Sequence, residues 1–348
     1  MKSKSRTTKT IFQVAALSDC SISTVSNVLN NKGRFSEKTQ KAVFQAVAKL
    51  NYKPDSAGRS LRLKRTETLG LLFYPSCAEI FRNPFYAEVM EGLERTLLKH
   101  GYYLLLAGYD QSEPESVAPP FLRQGKVDGV ILLGRFPSTL VQRFINFDSP
   151  LLLLDSCAEW PVDSLISDGF SAEIDVVSKL YSLGHRRITM VAYDHEDSNI
   201  DIRIKGFLTG LKQMNLPHNE DSIIRKYVNN KDIYMDLKSK LLGPTPPTSV
   251  VAVNDTLAMD IMSRLSMDGI NVPKQVSIVG YDDHATSAHL KPSLSTVMVD
   301  KIKLGETGAK MIIDRINSPD SPIVKSILPT KFIVRDSVGA PRNESHAI

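Results

Sequence analysis

Ser21, Ser23, Thr24, Ser26 and Asn27 crowd short hydroxyl and amide side chains into one stretch, SISTVSN. Side chains of this length reach phosphate oxygens and base edges with little loss of rotamer entropy, so the chemistry they suggest is nucleic-acid contact. A second polar set is dispersed: Asp110, Asp155, Asn254-Asp255 and Asp282-Asp283 each stand just after an apolar run. A carboxylate in such a place is a helix cap or loop residue, or else an acceptor in a ligand cleft at the carboxyl ends of parallel strands. No GxGxxG follows a strand, and there is no phosphate-binding loop ending in GK[ST] and no GxSxG; the seven His are scattered, with His284 and His289 in a predicted loop. The chain therefore reads as something other than an enzyme. Cys20, Cys77 and Cys157 are isolated, without CxxC or Cys/His spacing, so no zinc site, disulfide framework or cofactor is expected and a reducing cytoplasm suits the chain best.

The first polar set needs two helices to present it. Ile11, Val14 and Ala15 fall on one helical face, Ser18-Asp19 make a polar turn, and Val25, Val28 and Leu29 return from a second helix. That is a helix-turn-helix pattern, with an ordinary helical hairpin as the plain alternative. Charge separates the two: residues 1 to 65 hold 14 Lys and Arg against 3 Asp and Glu, whereas the other 283 residues hold 29 against 35. A basic head on such a motif points to phosphate. Ser36 is a predicted N-cap for a third helix, Glu37 to Leu50, burying Val43, Ala46, Val47 and Leu50. Residues 1–9 read as a disordered basic arm. With no apolar run behind that arm, and no stretch near the roughly 18 apolar residues of a membrane span, secretion and membrane insertion are not expected.

Pro54 to Arg65 is too polar and short to fold alone, and reads either as a linker or as a short helix begun at Pro54-Asp55. In a helix, Leu61 and Leu63 would be exposed beside Arg59, Arg62, Lys64 and Arg65, which suits a wedge between base steps in a minor groove. From Glu67 apolar strands alternate with amphipathic helices. Strands are predicted at Leu69–Tyr74, Tyr102–Ala107, Gly129–Leu133 and Leu151–Leu154, then at Ile188–Ala192, Ser249–Val253 and Val276–Val279. Helices are predicted from Pro84, and over Ser171–Leu183, Ile202–Met214 and Leu257–Leu265. Two open parallel α/β sheets follow from that alternation.

The motifs TI-x-x-VA, S-x-x-TVS-x-VLN and A-G-R-S-L, in that order, resemble the lactose-repressor family of bacterial transcription regulators. The likeness continues through Asn83 to Glu88, Leu183 to Ile188, Arg203 to Phe207, Asn254-Asp255, Val276 to Asp282 and Pro292 to Val297. The resemblance implies a helix-turn-helix domain at 1–53, a hinge helix at 54–66 and a two-subdomain, periplasmic-binding-protein-like core at 67–340. The N-subdomain would take about 67–167 and 297–328, the C-subdomain about 168–296 and 329–340, with crossings near Asp168, Thr296 and Leu328. It assigns base reading to Ile22, Ser23 and Asn27, with Ser21, Thr24, Ser26 and Arg59 beside them, and the intercalating wedge to Leu61. An apolar Ile22 points to a thymine methyl. Phe85, Tyr86, Asp155, Arg203, Asn254 and Asp282 would face a small effector, most simply a sugar or sugar derivative. The implied partners are a pseudo-palindromic double-stranded operator and a second copy of the chain, as a homodimer or a tetramer built from it, in the cytoplasm at the nucleoid. The implied function is an effector-controlled repressor; the alternative is a solute-binding protein with an incidental head. Departures are local: Asp19-Cys20 for a common Gly-Val, Gly58 for Ala in the hinge, Pro119-Pro120 within a usual helix, and Ala172-Glu173 for a glycine pair.

Overall fold

The computed structural model describes residues 9–29, 33–52, 65–74, 83–108, 120–147, 149–194, 196–226 and 233–342. Two compact units result, residues 1–66 and 67–348. In the first, α1 (Ile11–Ser18), α2 (Ile22–Leu29) and α3 (Glu37–Leu50) close on Val14, Ala15, Val25, Val28, Val43 and Ala46. Tyr52, which helical periodicity does not flag, completes that core. The turn is tighter than Ser18-Asp19: Ser18 ends α1, buried, with its hydroxyl donating to the Val14 carbonyl at 2.8 Å, and Asp19 takes the left-handed conformation at φ 51°. Asp tolerates that region at modest cost, which explains its standing where glycine is common. Ser36 caps α3 as expected, accepting from the Thr39 N–H at 3.1 Å.

The second unit holds two six-stranded sheets. The chain runs β1 (Thr68–Phe73), α4 (Pro84–Lys99), β2 (Tyr103–Gly108), α5 (Pro120–Arg123), β3 (Gly129–Leu133), α6 (Ser138–Ile145), β4 (Leu151–Leu154) and β5 (Asp163–Ser167). It continues through α7 (Gly169–Ser182), β6 (Ile188–Tyr193), α8 (Ser198–Gln213), β7 (Ile223–Lys226), α9 (Ile233–Leu241), β8 (Ser249–Ala252), α10 (Asp255–Met267), β9 (Ser277–Asp282), β10 (Ser295–Met298), α11 (Lys301–Asn317), β11 (Lys325–Leu328) and β12 (Lys331–Ile333). Sheet one has the order β11-β5-β4-β3-β1-β2, and sheet two β12-β10-β9-β8-β6-β7. All pairings are parallel except β10 with β12, an antiparallel edge on an otherwise parallel sheet.

The chain passes between the sheets after β5, after β10 and between β11 and β12. Thr296 lies inside β10, paired with Gly280 and Ile333, so that crossing falls a few residues later than the sequence suggests. The central strands are continuous runs of buried Leu, Ile and Val, as strands covered on both faces must be. Helices pack in close pairs. A Cβ at Gly206 of α8 would strike the Phe170 carbonyl at the start of α7, and one at Gly305 of α11 would strike Val89 of α4, so glycine at both places sets the helix spacing.

Candidate functional site

A cleft of about 370 Å³ opens between the two halves of the core, and it is lined by Phe85, Tyr86, Asp155, Arg203, Asn254 and Asp282 together. Each arrives by a local device. Asn83 caps α4, its Oδ1 accepting from the Phe85 N–H at 3.1 Å, with Pro84 at the first helical position. The two rings beyond stand edge to face with centroids 5.4 Å apart. A Cβ at Gly134, where φ is +79°, would press on the Tyr86 hydroxyl, so this glycine opens the space that the phenol occupies. Asp155 follows β4 in the left-handed region at φ 58° and is buried. The Asn199 side-chain amide donates to its carbonyl at 2.8 Å and to its carboxylate at 3.2 Å.

From the other half, Arg203 of α8 enters beneath the end of β9. Its Nη1 donates to the Val253 carbonyl at 2.6 Å, its Nη2 faces Asp282 at 3.7 Å, and its guanidinium lies 3.6 Å from the centroid of the Tyr281 ring. Asp282, at φ 107°, is held by Lys301, whose Nζ donates to its carbonyl at 2.8 Å. Burial, reinforced by the charges of Asp197 and Asp282, pushes Asp155 up to about 8, although Arg203 and Asn199 pull the other way. Burial likewise pushes Asp282 up to about 7 against the pull of Arg203 and Lys301. Burial alone would lower Arg203, but Tyr281 and the surrounding aspartates keep it above its ordinary value. The cleft can thus offer hydrogen-bond acceptors, a buried guanidinium and aromatic faces.

Not every residue after an apolar run belongs here. Asp255 is a structural carboxylate, accepting from Ser287 Oγ and Thr296 Oγ1 at 2.6 Å each and from the His284 N–H at 2.7 Å. Asp283 pairs with Arg335 at 2.7 Å. Asn254 does both jobs: it caps α10 through Oδ1, accepting from Leu257 N–H at 2.9 Å, and lines the cleft. Asp110 lies outside the described residues. The lining also includes Phe73, Tyr74, Arg135, Tyr193, Asp197 and Asn199, which the sequence reading missed. Phe73 and Tyr74 follow the strand-end rule used for the aspartates. Asp197 and Asn199 were hidden because α8 begins at Ser198 rather than near Ile202, with Asp197 as its N-cap.

On the helix-turn-helix, Ser21, Ile22, Ser23 and Asn27 are exposed and Thr24 and Ser26 half-buried; Ile22, 41% exposed, is an apolar side chain without a place in the core. Ser21 is the cap of α2, its hydroxyl accepting from the Thr24 N–H at 3.1 Å. Arg59 and Leu61 lie outside the described residues. Among those described, no cluster of His, Cys, Asp and Glu could hold a metal ion, and no helix is long and apolar enough to cross a membrane.

Residues 10–55 match the model of bacterial regulatory proteins of the lacI family, and residues 177–338 that of the periplasmic binding protein-like domain. The chain is 30% identical over 311 residues to the HTH-type transcriptional repressor PurR of Aliivibrio salmonicida, spanning 88% of this chain and 92% of that protein. It is 28% identical over 335 residues to the ribose operon repressor of Haemophilus influenzae, spanning 94% and 98%. A LacI family transcriptional regulator from Enterococcus faecium, solved with bound ribose, superposes at a TM-score of 0.67 and 30% identity over 79% of this chain and 100% of that one.

Proposed function

The chain belongs to the lacI family of bacterial regulatory proteins, and from that premise we propose that the cleft between the core halves is where its effector, a polyhydroxylated small molecule of the sugar class, controls operator binding. The chain is a DNA-binding transcriptional repressor with a small-molecule effector, as its relatives are, and not an enzyme. The observation that carries the effector site is convergence: six residues from five separated segments meet in one cleft, with carboxylate, guanidinium and aromatic groups suited to hydroxyls and a ring face. In this reading Ile22, Ser23 and Asn27 read bases, Ser21, Thr24, Ser26 and Arg59 support phosphate contact, and Leu61 wedges the minor groove, with residues 1–53 as the DNA-binding domain and 54–66 as the hinge.

The repressor acts as a homodimer in the cytoplasm. Support for the dimer comes from β2, the edge of sheet one, which leaves Tyr103 65% and Leu106 44% exposed, and from Met267 of α10, 82% exposed. Among the described residues no strand pairs with the outer side of β2, and an exposed apolar edge strand is a ready template for another chain. The deciding experiment is selection of a duplex from a random pool by the full chain, followed by fluorescence anisotropy of that duplex as sugars are added. A sugar that shifts operator affinity in the wild type, but not in Asp282→Ala, supports the site; a normal response in that variant removes it.

A further inference from the structure

Among the described residues, acids outnumber bases around the cleft. Asp155, Asp197 and Asp282 line it against Arg135 and Arg203. Behind them Glu173 of α7 is fully buried, and neither of its carboxylate oxygens has a hydrogen-bond partner. It stands one turn beyond Gly169, whose Cα packs on the Arg203 side chain, and it acts electrostatically on Tyr281, the ring beneath that guanidinium. Arg203 is already engaged with Val253 and Asp282, and its buried Nε is without a partner. Lys301 adds no surplus positive charge, because Glu88 stands 3.7 Å from its Nζ. Asp255 adds no demand, since three donors satisfy it. The wall is completed by Phe73, Tyr74, Tyr86 and Tyr193, and aromatic faces attract cations.

Taking the cleft as the effector site, we propose that the effector carries a positive charge: an amine-bearing, hydroxylated molecule of the amino-sugar class, its ammonium received by Asp155 and Asp282 against the aromatic wall. Burial holds Asp155 and Glu173 at about 8 and Asp282 at about 7, so near neutrality Arg203 faces acids that retain their protons wholly or in part. An arriving ammonium allows these carboxyls to ionise, each releasing its proton to solvent. A sugar acid or sugar phosphate meets Asp155 and Asp282, which must keep their protons to tolerate it, and an arginine whose two Nη atoms already face Val253 and Asp282. Glu173 is the positioning residue here: once ionised, it acts on Arg203 from behind and so weakens that arginine as an anion receptor.

The test is calorimetric titration of the full chain with three matched sets: glucosamine, glucose and glucuronate; galactosamine, galactose and galacturonate; mannosamine, mannose and mannuronate. In at least one set the amine binds about tenfold or more tighter than the neutral sugar, and the acid does not bind. Repeating that titration near pH 6.5 in buffers of different ionisation heat reports proton release for the amine and none for the neutral sugar. Glu173→Gln and Glu173→Ala each reduce the amine preference at least about threefold. A neutral sugar or acid that binds more tightly than its amine, or a preference unchanged in both Glu173 variants, overturns the proposal while leaving the cleft as the effector site. Binding by none of the nine overturns the sugar-class reading and this proposal with it.

Discussion

Asp155→Asn separates what the cleft does for ligand from what it costs the fold. Asn is isosteric, tolerates the left-handed φ of 58°, and keeps an oxygen to accept from Asn199. What it removes is a carboxylate pushed up to about 8 by burial and by neighbouring aspartates. In the unfolded chain that carboxyl ionises near 3.9. Below that value the folded and unfolded states bind the same proton and nothing is lost; as pH rises toward 8 the folded state alone retains it, and stability falls until the folded group ionises too. At about 1.4 kcal/mol per tenfold change in proton affinity, the ceiling is about 6 kcal/mol. Sharing of protons with Asp282 and relaxation around Arg203 reduce the realised difference to about 2 kcal/mol. For a core of this size that is a gain of about 4 to 8 °C in the Tm of Asp155→Asn over wild type at pH 8. The gain shrinks as pH approaches 4. Thermal melts of the ligand-free chain followed by circular dichroism at several pH values measure it. A variant less stable than wild type at pH 8, or a difference that does not change with pH, refutes the electrostatic account. The same variant loses about tenfold or more in its effector response, since a charged acceptor is gone.

Ile22→Ala weakens binding to the selected operator by about 1 kcal/mol or more while leaving binding to unrelated duplex nearly unchanged, as anisotropy at fixed salt will report. Leu61→Ala lowers operator affinity without altering effector affinity; unchanged operator binding removes the wedge. Arg315→Ala breaks a buried bidentate pair with Asp163, at 2.7 and 2.8 Å, and frees the carbonyls of Pro319, Ser321 and Pro322. It destabilises the core by about 3 to 5 kcal/mol, read as a lower denaturation midpoint. Tyr103→Glu with Leu106→Glu converts the proposed dimer to monomer in sedimentation, with the core still folded by circular dichroism; a chain that is monomeric before substitution removes the dimer.

How far the sequence could be read depended on where each residue finds its partners. β3, β4 and β8 were legible because both faces are buried and the runs are continuous. β5, written Asp163-Ser164-Leu165-Ile166-Ser167, was not, because its polar residues are buried by specific partners, Asp163 by Arg315 and Ser167 by Tyr281. β2 was legible as a strand, but it carries exposed leucines, which break the pattern of a strand covered on both faces and had no reading in the sequence. The strand-end rule found Asp155 and Asp282 but equally offered Asp255, and only the hydroxyls of Ser287 and Thr296, far along the chain, distinguish a satisfied carboxylate from one facing a cleft. Glu173 stood out only through Ala172-Glu173 replacing a glycine pair; its meaning comes from Arg203, a helix away.

The cleft also bounds how strongly an effector can act. Linkage requires that ligand interact differently with two states of the core, and a hundredfold change in operator affinity needs about 2.7 kcal/mol of that difference. Phe85, Tyr86 and Asp155 come from the half built on sheet one, and Arg203, Asn254 and Asp282 from the half built on sheet two. A ligand that touches one half alone has no preference between closure angles and cannot move the equilibrium. One that bridges Asp155 to Asp282 gains contacts that exist only at one angle, and two hydrogen bonds to charged groups, at about 1.5 to 3 kcal/mol each, reach the required difference. Movement of either half must be absorbed at the crossings, and Asp255 fastens α10 to Thr296 in β10, the strand that leads into one of them. Asp255→Asn, which cannot hold its three donors equally, should therefore reduce the change in operator affinity that a saturating effector produces more than it reduces effector affinity itself. Equal losses in both would show that the Asp255 network only supports the fold.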